Sequence, residues 1–116
     1  MAGVLGTTVA TGRIGTQDPV KLSPQLYSVR LENDRVRVLE YRLKPGEKEL
    51  MHSHSPGLVF VLNPATMRST FPDGKISEIS SKAGDVSWRE ATSHSLENIG
   101  KTEAHNLAVE MKPCGQ

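Results

Sequence analysis

The sequence predicts an all-β protein, two antiparallel sheets closed face to face into one small barrel. From about Leu26 onward, short apolar runs alternate with Gly, Pro, Asn and Asp at intervals of about 8–12 residues, the rhythm of sandwiches and barrels. No stretch sustains the 3.6-residue period of a helix. Asp73-Gly74 stands between two β-prone runs, a strong hairpin signal. Closure is preferred to an open sandwich because a small domain gains by removing sheet edges.

Taken in order, the runs that read as strands are Tyr27 to Leu31, Val36 to Leu43, Leu50 to His54, Leu58 to Leu62 and Thr66 to Phe71. They continue with Ile76 to Ser80, Asp85 to Trp88, Ser93 to Asn98 and Asn106 to Met111. Between them stand turn residues: Glu32-Asn33-Asp34, Lys44-Pro45-Gly46-Glu47, Ser55-Pro56-Gly57, Pro72-Asp73-Gly74, Ala83-Gly84-Asp85 and Asn98-Ile99-Gly100. Residues 1–20, rich in Gly, Thr and Ala without period, are expected to form an N-terminal arm, and residues 21–116 a single barrel domain.

A chain of 116 residues accommodates one domain with one core. With 36% apolar and 23% charged residues it has an ordinary globular composition. No run approaches the roughly 20 apolar residues of a membrane helix. The first residues lack the basic and apolar blocks of a signal peptide, so a cytoplasmic location is expected. Net charge is +1 and basic residues are interspersed with acidic ones, which gives no footprint for nucleic acid. The only cysteine, Cys114, excludes an internal disulfide and a cysteine-based zinc site, so any metal must be held by nitrogen and oxygen.

The chemistry-bearing residues are histidines. His52 and His54 are two apart in a strand, so they share a face. Leu50 has the same parity and marks that face as inward. About 40 residues on, His94 has the parity of Leu96 and Asn98 in another strand. Three imidazoles converging inside a barrel would each carry an unsatisfied ring nitrogen unless something bound them, and a divalent metal ion meets that need. A lone strand histidine is more often a hydrogen-bonded structural residue; the convergence of three weighs against that reading. His105 precedes the last strand and is a weaker candidate, and Asn98 is expected to tie a strand end to the turn after it.

These residues resemble a known pattern. Gly46, five residues and then His52-Ser53-His54 resembles the first cupin motif; Gly84 followed by His94, three residues and Asn98 resembles the second. The two motifs run from about Lys44 to Gly100, half the chain. The resemblance implies a cupin-type double-stranded β-helix, the jelly-roll barrel, with His52, His54 and His94 as metal ligands. Family members usually carry a glutamate four or five residues after the second histidine. Here Leu58 and Val59 stand at those places, with Glu90 as the one substitute to be tested. A cupin with three histidines and no carboxylate resembles the acetylacetone or β-diketone dioxygenases, which implies one Fe(II) per chain, dioxygen as co-substrate and a small chelating anion as substrate.

Three neutral imidazoles leave a divalent ion its full charge, so such a centre favours an anionic bidentate ligand such as an enolate. The same donor set suits zinc or another transition metal, and then hydrolysis or binding without turnover. A barrel lacking metal altogether, with histidine as a base, is a third reading. Phe60 and Trp88, by parity, and Arg68, as a cation for an anionic substrate, are expected to line the pocket, with core packing or a surface role as the alternatives. Exposed apolar residues of the early strands, such as Val36 and Val38, suggest a homodimer.

Overall fold

The computed structural model describes residues 17–113. Pro19–Leu22 forms a single helical turn (α1), opened by a proline whose missing N–H costs nothing there. A 3₁₀ turn over Pro24–Leu26 leads into nine strands. These are β1 (Tyr27–Glu32), β2 (Val36–Leu43), β3 (Lys48–His54), β4 (Gly57–Asn63), β5 (Ala65–Thr70), β6 (Ile76–Ser81), β7 (Val86–Arg89), β8 (Thr92–Asn98) and β9 (Ala104–Met111). Every strand read from the sequence is present, with ends that move by two residues or fewer.

The strands form two antiparallel sheets, one ordered β1-β2-β9-β4-β7 and the other β3-β8-β5-β6. The Phe71 to Lys75 turn closes the β5–β6 hairpin, with Gly74 at φ 89°, a conformation that a Cβ disfavours. Residues 1–16 of the expected arm lie outside the described residues. Residues 17–20 are docked: the Ser53 amide donates to the Gln17 carbonyl, and Asp18 is buried against Arg37.

Side chains inside the barrel grade from apolar to polar along its length. At one end Tyr41, Leu43, Ala65 and Ala104 are buried, with Leu26, Tyr27, Met67 and Leu96 packed against them. At the other end the interior positions of β2, β8 and β9, joined by β3, carry Arg37, Glu110, His52, His54 and His94, all buried. β2 shows the gradient within one strand, its inward residues running Arg37, Leu39, Tyr41, Leu43. Asn98 ties β8 to the adjoining turns: its amide nitrogen donates to the carbonyls of Leu43 and Thr102, and its Oδ1 accepts from the Gly100 amide.

One inward parity differs from expectation. Leu50 is exposed, and Glu49 points inside instead. The cause is a register shift: Glu49 pairs with Leu96 and His52 with His94, so β3 carries one residue more than β8 over this interval. Such a bulge reverses the alternation upstream of it.

Candidate metal centre

Strand pairing brings the histidines together. His52 lies opposite His94 in the β3–β8 ladder, and His54 follows His52 on the same face. Ring centroids are 4.6 Å apart for His52–His54, 4.7 Å for His52–His94 and 5.3 Å for His54–His94, and the rings meet edge to face. One nitrogen from each ring falls in a group whose members are all within 4.8 Å of one another.

Hydrogen bonds behind the rings set the tautomers. His52 Nδ1 lies 2.7 Å from the Leu50 carbonyl, which can only accept, so Nδ1 carries the proton and Nε2 the lone pair. His54 Nδ1 lies 2.7 Å from Glu110 Oε2. Burial lowers the His54 pKa, and it outweighs the Glu110 bond that would raise it. Burial alone would raise the Glu110 carboxyl, but its bonds to His54 and Arg37 hold it below the usual range. A neutral His54 therefore donates Nδ1–H to an ionised Glu110, and Nε2 is again left with its lone pair. Such an outer carboxylate is the usual support of a metal-binding imidazole.

Burial, reinforced by the neighbouring histidines, pushes His52 down to about 4 and His94 to about 3. All three rings are thus neutral near pH 7, the form a metal requires. Nε2 of His52 and Nε2 of His94 are shielded from solvent and have no hydrogen-bond partner among the described residues. Orphaned buried ring nitrogens of this kind are rare, and these converge, so the residues fit an ion.

Around the histidines lie groups that the sequence reading passed over. The Tyr27 hydroxyl donates to Glu49 Oε2 at 2.5 Å, and Glu49 Oε2 is 3.3 Å from His52 Nδ1. Burial pushes the Glu49 carboxyl up to about 7, against the lowering effect of the tyrosine bond. On the opposite side, Arg37 bridges Asp18 at 2.7 Å and Glu110 at 3.0 Å. Arg89, at the end of β7, faces inward in the row Arg37, Glu110, Gly57, Arg89 that crosses four neighbouring strands. Glu110 shares its face of β9 with the buried Ala104 and Ala108, whereas Leu107, Val109 and Met111 share the other, so apolarity alone assigns β9 the wrong inner face.

Three sequence expectations for the pocket are corrected. Phe60 and Trp88 lie on the outer face of the five-stranded sheet, because β4 turns Gly57, Val59 and Val61 inward and β7 pairs Trp88 with the outward Leu58. Arg68 lies outside the four-stranded sheet, bonded to Glu78 at 2.9 Å and 3.6 Å from Glu97, because β5 turns Met67 inward. Of the remaining candidates, Glu90 is exposed and accepts from the Trp88 indole at 2.8 Å. His105 pairs outside the barrel with Glu40 at 2.6 Å. Neither reaches the histidines.

No protein-family model matches this chain, and no curated protein matches it. Solved structures do. A cupin domain from Bordetella pertussis Tohama I is 27% identical, with a TM-score of 0.69 over 76% of this chain and 93% of that one. A conserved protein with a double-stranded β-helix domain from Klebsiella pneumoniae is 20% identical, with a TM-score of 0.60 over 89% of this chain and 84% of that one. A predicted oxalate decarboxylase from Thermotoga maritima is 27% identical, with a TM-score of 0.53 over 75% and 79% of the two chains.

The fold is the cupin-type double-stranded β-helix. In this chain it carries a cluster of three buried histidines able to hold a metal ion. Among the described residues no helix is long and apolar enough to cross a membrane.

Proposed function

We propose that this chain is a metal-dependent cupin enzyme in which His52, His54 and His94 hold one divalent ion, Fe(II) by preference, for dioxygenase cleavage of a small β-diketone-like chelating substrate. The observation that carries this reading is the donor set: among the described residues the only group with metal-ligand spacing is three neutral imidazoles, with no carboxylate in it. Bound iron would supply the one-electron chemistry that dioxygen needs, and bound zinc an activated water instead. The protein's own part is to keep the rings neutral, to aim Nε2 through the Leu50 carbonyl and Glu110, and to surround the ion with a shielded interior.

The test is anaerobic reconstitution with Fe(II), elemental analysis, and an oxygen-electrode assay over a panel of 1,3-dicarbonyls. Uptake of oxygen that depends on substrate and is lost in His94→Ala is expected. Full iron occupancy with no uptake for any compound would remove the dioxygenase reading and leave a binding module or a zinc centre. The likeness to the Thermotoga maritima protein, a predicted oxalate decarboxylase, favours an anionic substrate over a purely structural site.

The proposal includes a homodimer through the outer face of the five-stranded sheet. Leu31, Val38, Val109, Leu58 and Trp88 form one apolar row, a residue from each strand, with Leu107, Phe60 and Val86 beside it. Trp88, Leu31, Val86 and Leu58 are 53%, 50%, 61% and 40% exposed. The exposed apolar area is of order 500 Å², at the upper end for a monomer and most of what one partner buries in a standard interface. An exposed apolar row of this kind would pair with its own copy about a two-fold axis. Sedimentation of Trp88→Glu against the wild type tests it: a dimer that becomes a monomer is expected, and a monomeric wild type would remove it.

A further inference from the structure

We propose that Arg89 is the substrate anchor of this site and that, among β-diketone-like chelators, the substrate is one that also carries a carboxylate, such as a 3-oxo acid. The inference rests on the metal reading above and narrows it.

Arg89 is an anomaly of charge. Its side chain is only 21% exposed. Nε and Nη2 are shielded from solvent and make no hydrogen bond among the described residues. A buried guanidinium remains charged, and leaving its donors unmade costs free energy unless an anion meets them. The nearest carboxylate oxygen, Glu110 Oε2, is 3.7 Å from Nη2, beyond hydrogen-bond distance, and is already engaged by His54 Nδ1 at 2.7 Å. Glu110 Oε1 is taken by Arg37. The protein's own acid is therefore occupied, and Arg89 is left with donors to spare.

Position completes the argument. Gly57 separates Arg89 from Glu110 in the ladder and projects no side chain between them. A Cβ there would meet the Val109 carbonyl oxygen at 1.9 Å, so the gap is imposed by the backbone. Arg89 reaches across that gap to within 3.7 Å of Glu110 Oε2, the oxygen that binds His54, and its charge is among the influences that lower the pKa of His52, His54 and His94. Its planar fork of donors fits a carboxylate bidentately. A chelator that offers oxygens to the ion and a carboxylate to Arg89 would satisfy both groups at once.

The experiment uses protein loaded with Co(II), whose absorption spectrum reports occupancy, in wild type, Arg89→Met and Arg89→Lys. Two probes of the same chelate spacing are titrated by calorimetry: malonate, which carries carboxylates, and acetylacetone, which does not. Malonate is expected to bind Arg89→Met at least about tenfold more weakly than wild type, the size of a lost hydrogen bond to a charged group. Arg89→Lys should fall between them, and acetylacetone should bind all three alike. Equal malonate affinity in wild type and in either folded variant overturns the role of Arg89. If wild type takes up no cobalt, the metal reading fails on its own. Malonate binding to the metal-free protein then decides: dependence on Arg89 keeps the anchor, and its absence removes it.

Discussion

Replacing Glu110 by glutamine separates the support of the site from the site itself, because the change keeps size and removes charge. Glu110 accepts from His54 on one oxygen and from Arg37 on the other, at 2.7 and 3.0 Å, and its side chain is 4% exposed. Both neighbours are donors. An amide offers one acceptor and one donor group, so whichever way it turns an N–H faces an N–H. Removing one member of a buried ion pair costs about 3–5 kcal/mol, a large share of the roughly 5–15 kcal/mol that holds a domain folded. His54 loses the partner that fixes its Nδ1–H tautomer, which typically weakens metal affinity by about 10–100-fold. Glu110→Gln should therefore lower the urea midpoint of metal-free protein and, in a separate competition titration against a chromophoric chelator, weaken Zn(II) binding within that range. A variant within about 1 kcal/mol of wild type that binds zinc with unchanged affinity would refute the reasoning.

His94→Ala should leave the barrel folded by circular dichroism and reduce metal content well below one ion per chain, since two imidazoles from one strand do not make a closed set of donors. Gly57→Ala should fail to fold, because the added methyl would sit 1.9 Å from the Val109 carbonyl oxygen; soluble, cooperatively unfolding protein would contradict this. Metal-free protein should lose stability as pH falls from about 6.5 toward 4.5, measured by urea midpoints. The buried histidines have depressed folded pKa values, with His52 near 4 and His94 near 3, so below 6.5 the unfolded chain binds protons that the fold does not. Glu49, raised to about 7, acts oppositely, the fold gaining stability as pH falls from 7 to 4.5. Three groups oppose one, and each net proton is worth about 1.4 kcal/mol per pH unit. A midpoint that rises on acidification would show the imidazoles to be solvated.

The strands were legible because turn chemistry interrupts the chain wherever a strand ends, and the histidines because a two-residue spacing keeps one face. What escaped has a common physical origin. Parity carries sidedness only within an uninterrupted ladder, and the bulge in β3 made Leu50 look inward where Glu49 is. Nor does apolarity give sidedness when both faces are apolar. Phe60 took the parity of His52 and His54 across the turn at Ser55 and Pro56, and Trp88 that of His94 across the loop before β8, and parity does not carry through a turn. The true inner row, Arg37, Glu110, Gly57 and Arg89, is polar and looked like surface. Its members are 20 to 73 residues apart in sequence, and only the closed sheet makes charges so separated into one network.

Formal charge at the polar end of the barrel now restricts what the site can take. Below about pH 7 the buried Glu49 carboxyl is largely protonated, Asp18 and Glu110 balance Arg37 and Arg89, and the three imidazoles are neutral, so a divalent ion brings the interior to a net excess of two positive charges. In a shielded environment that excess is costly unless an anion accompanies it. A monoanion leaves half of it; a dianion removes it. Malonate and its monomethyl ester share the same chelating oxygens and differ by one charge. The dianion should therefore bind the cobalt-loaded protein more tightly by well over the factor that the charge gives in free solution. Equal affinities would mean that water reaches Arg89 and screens it, and that the barrel end is an open rim rather than a closed site.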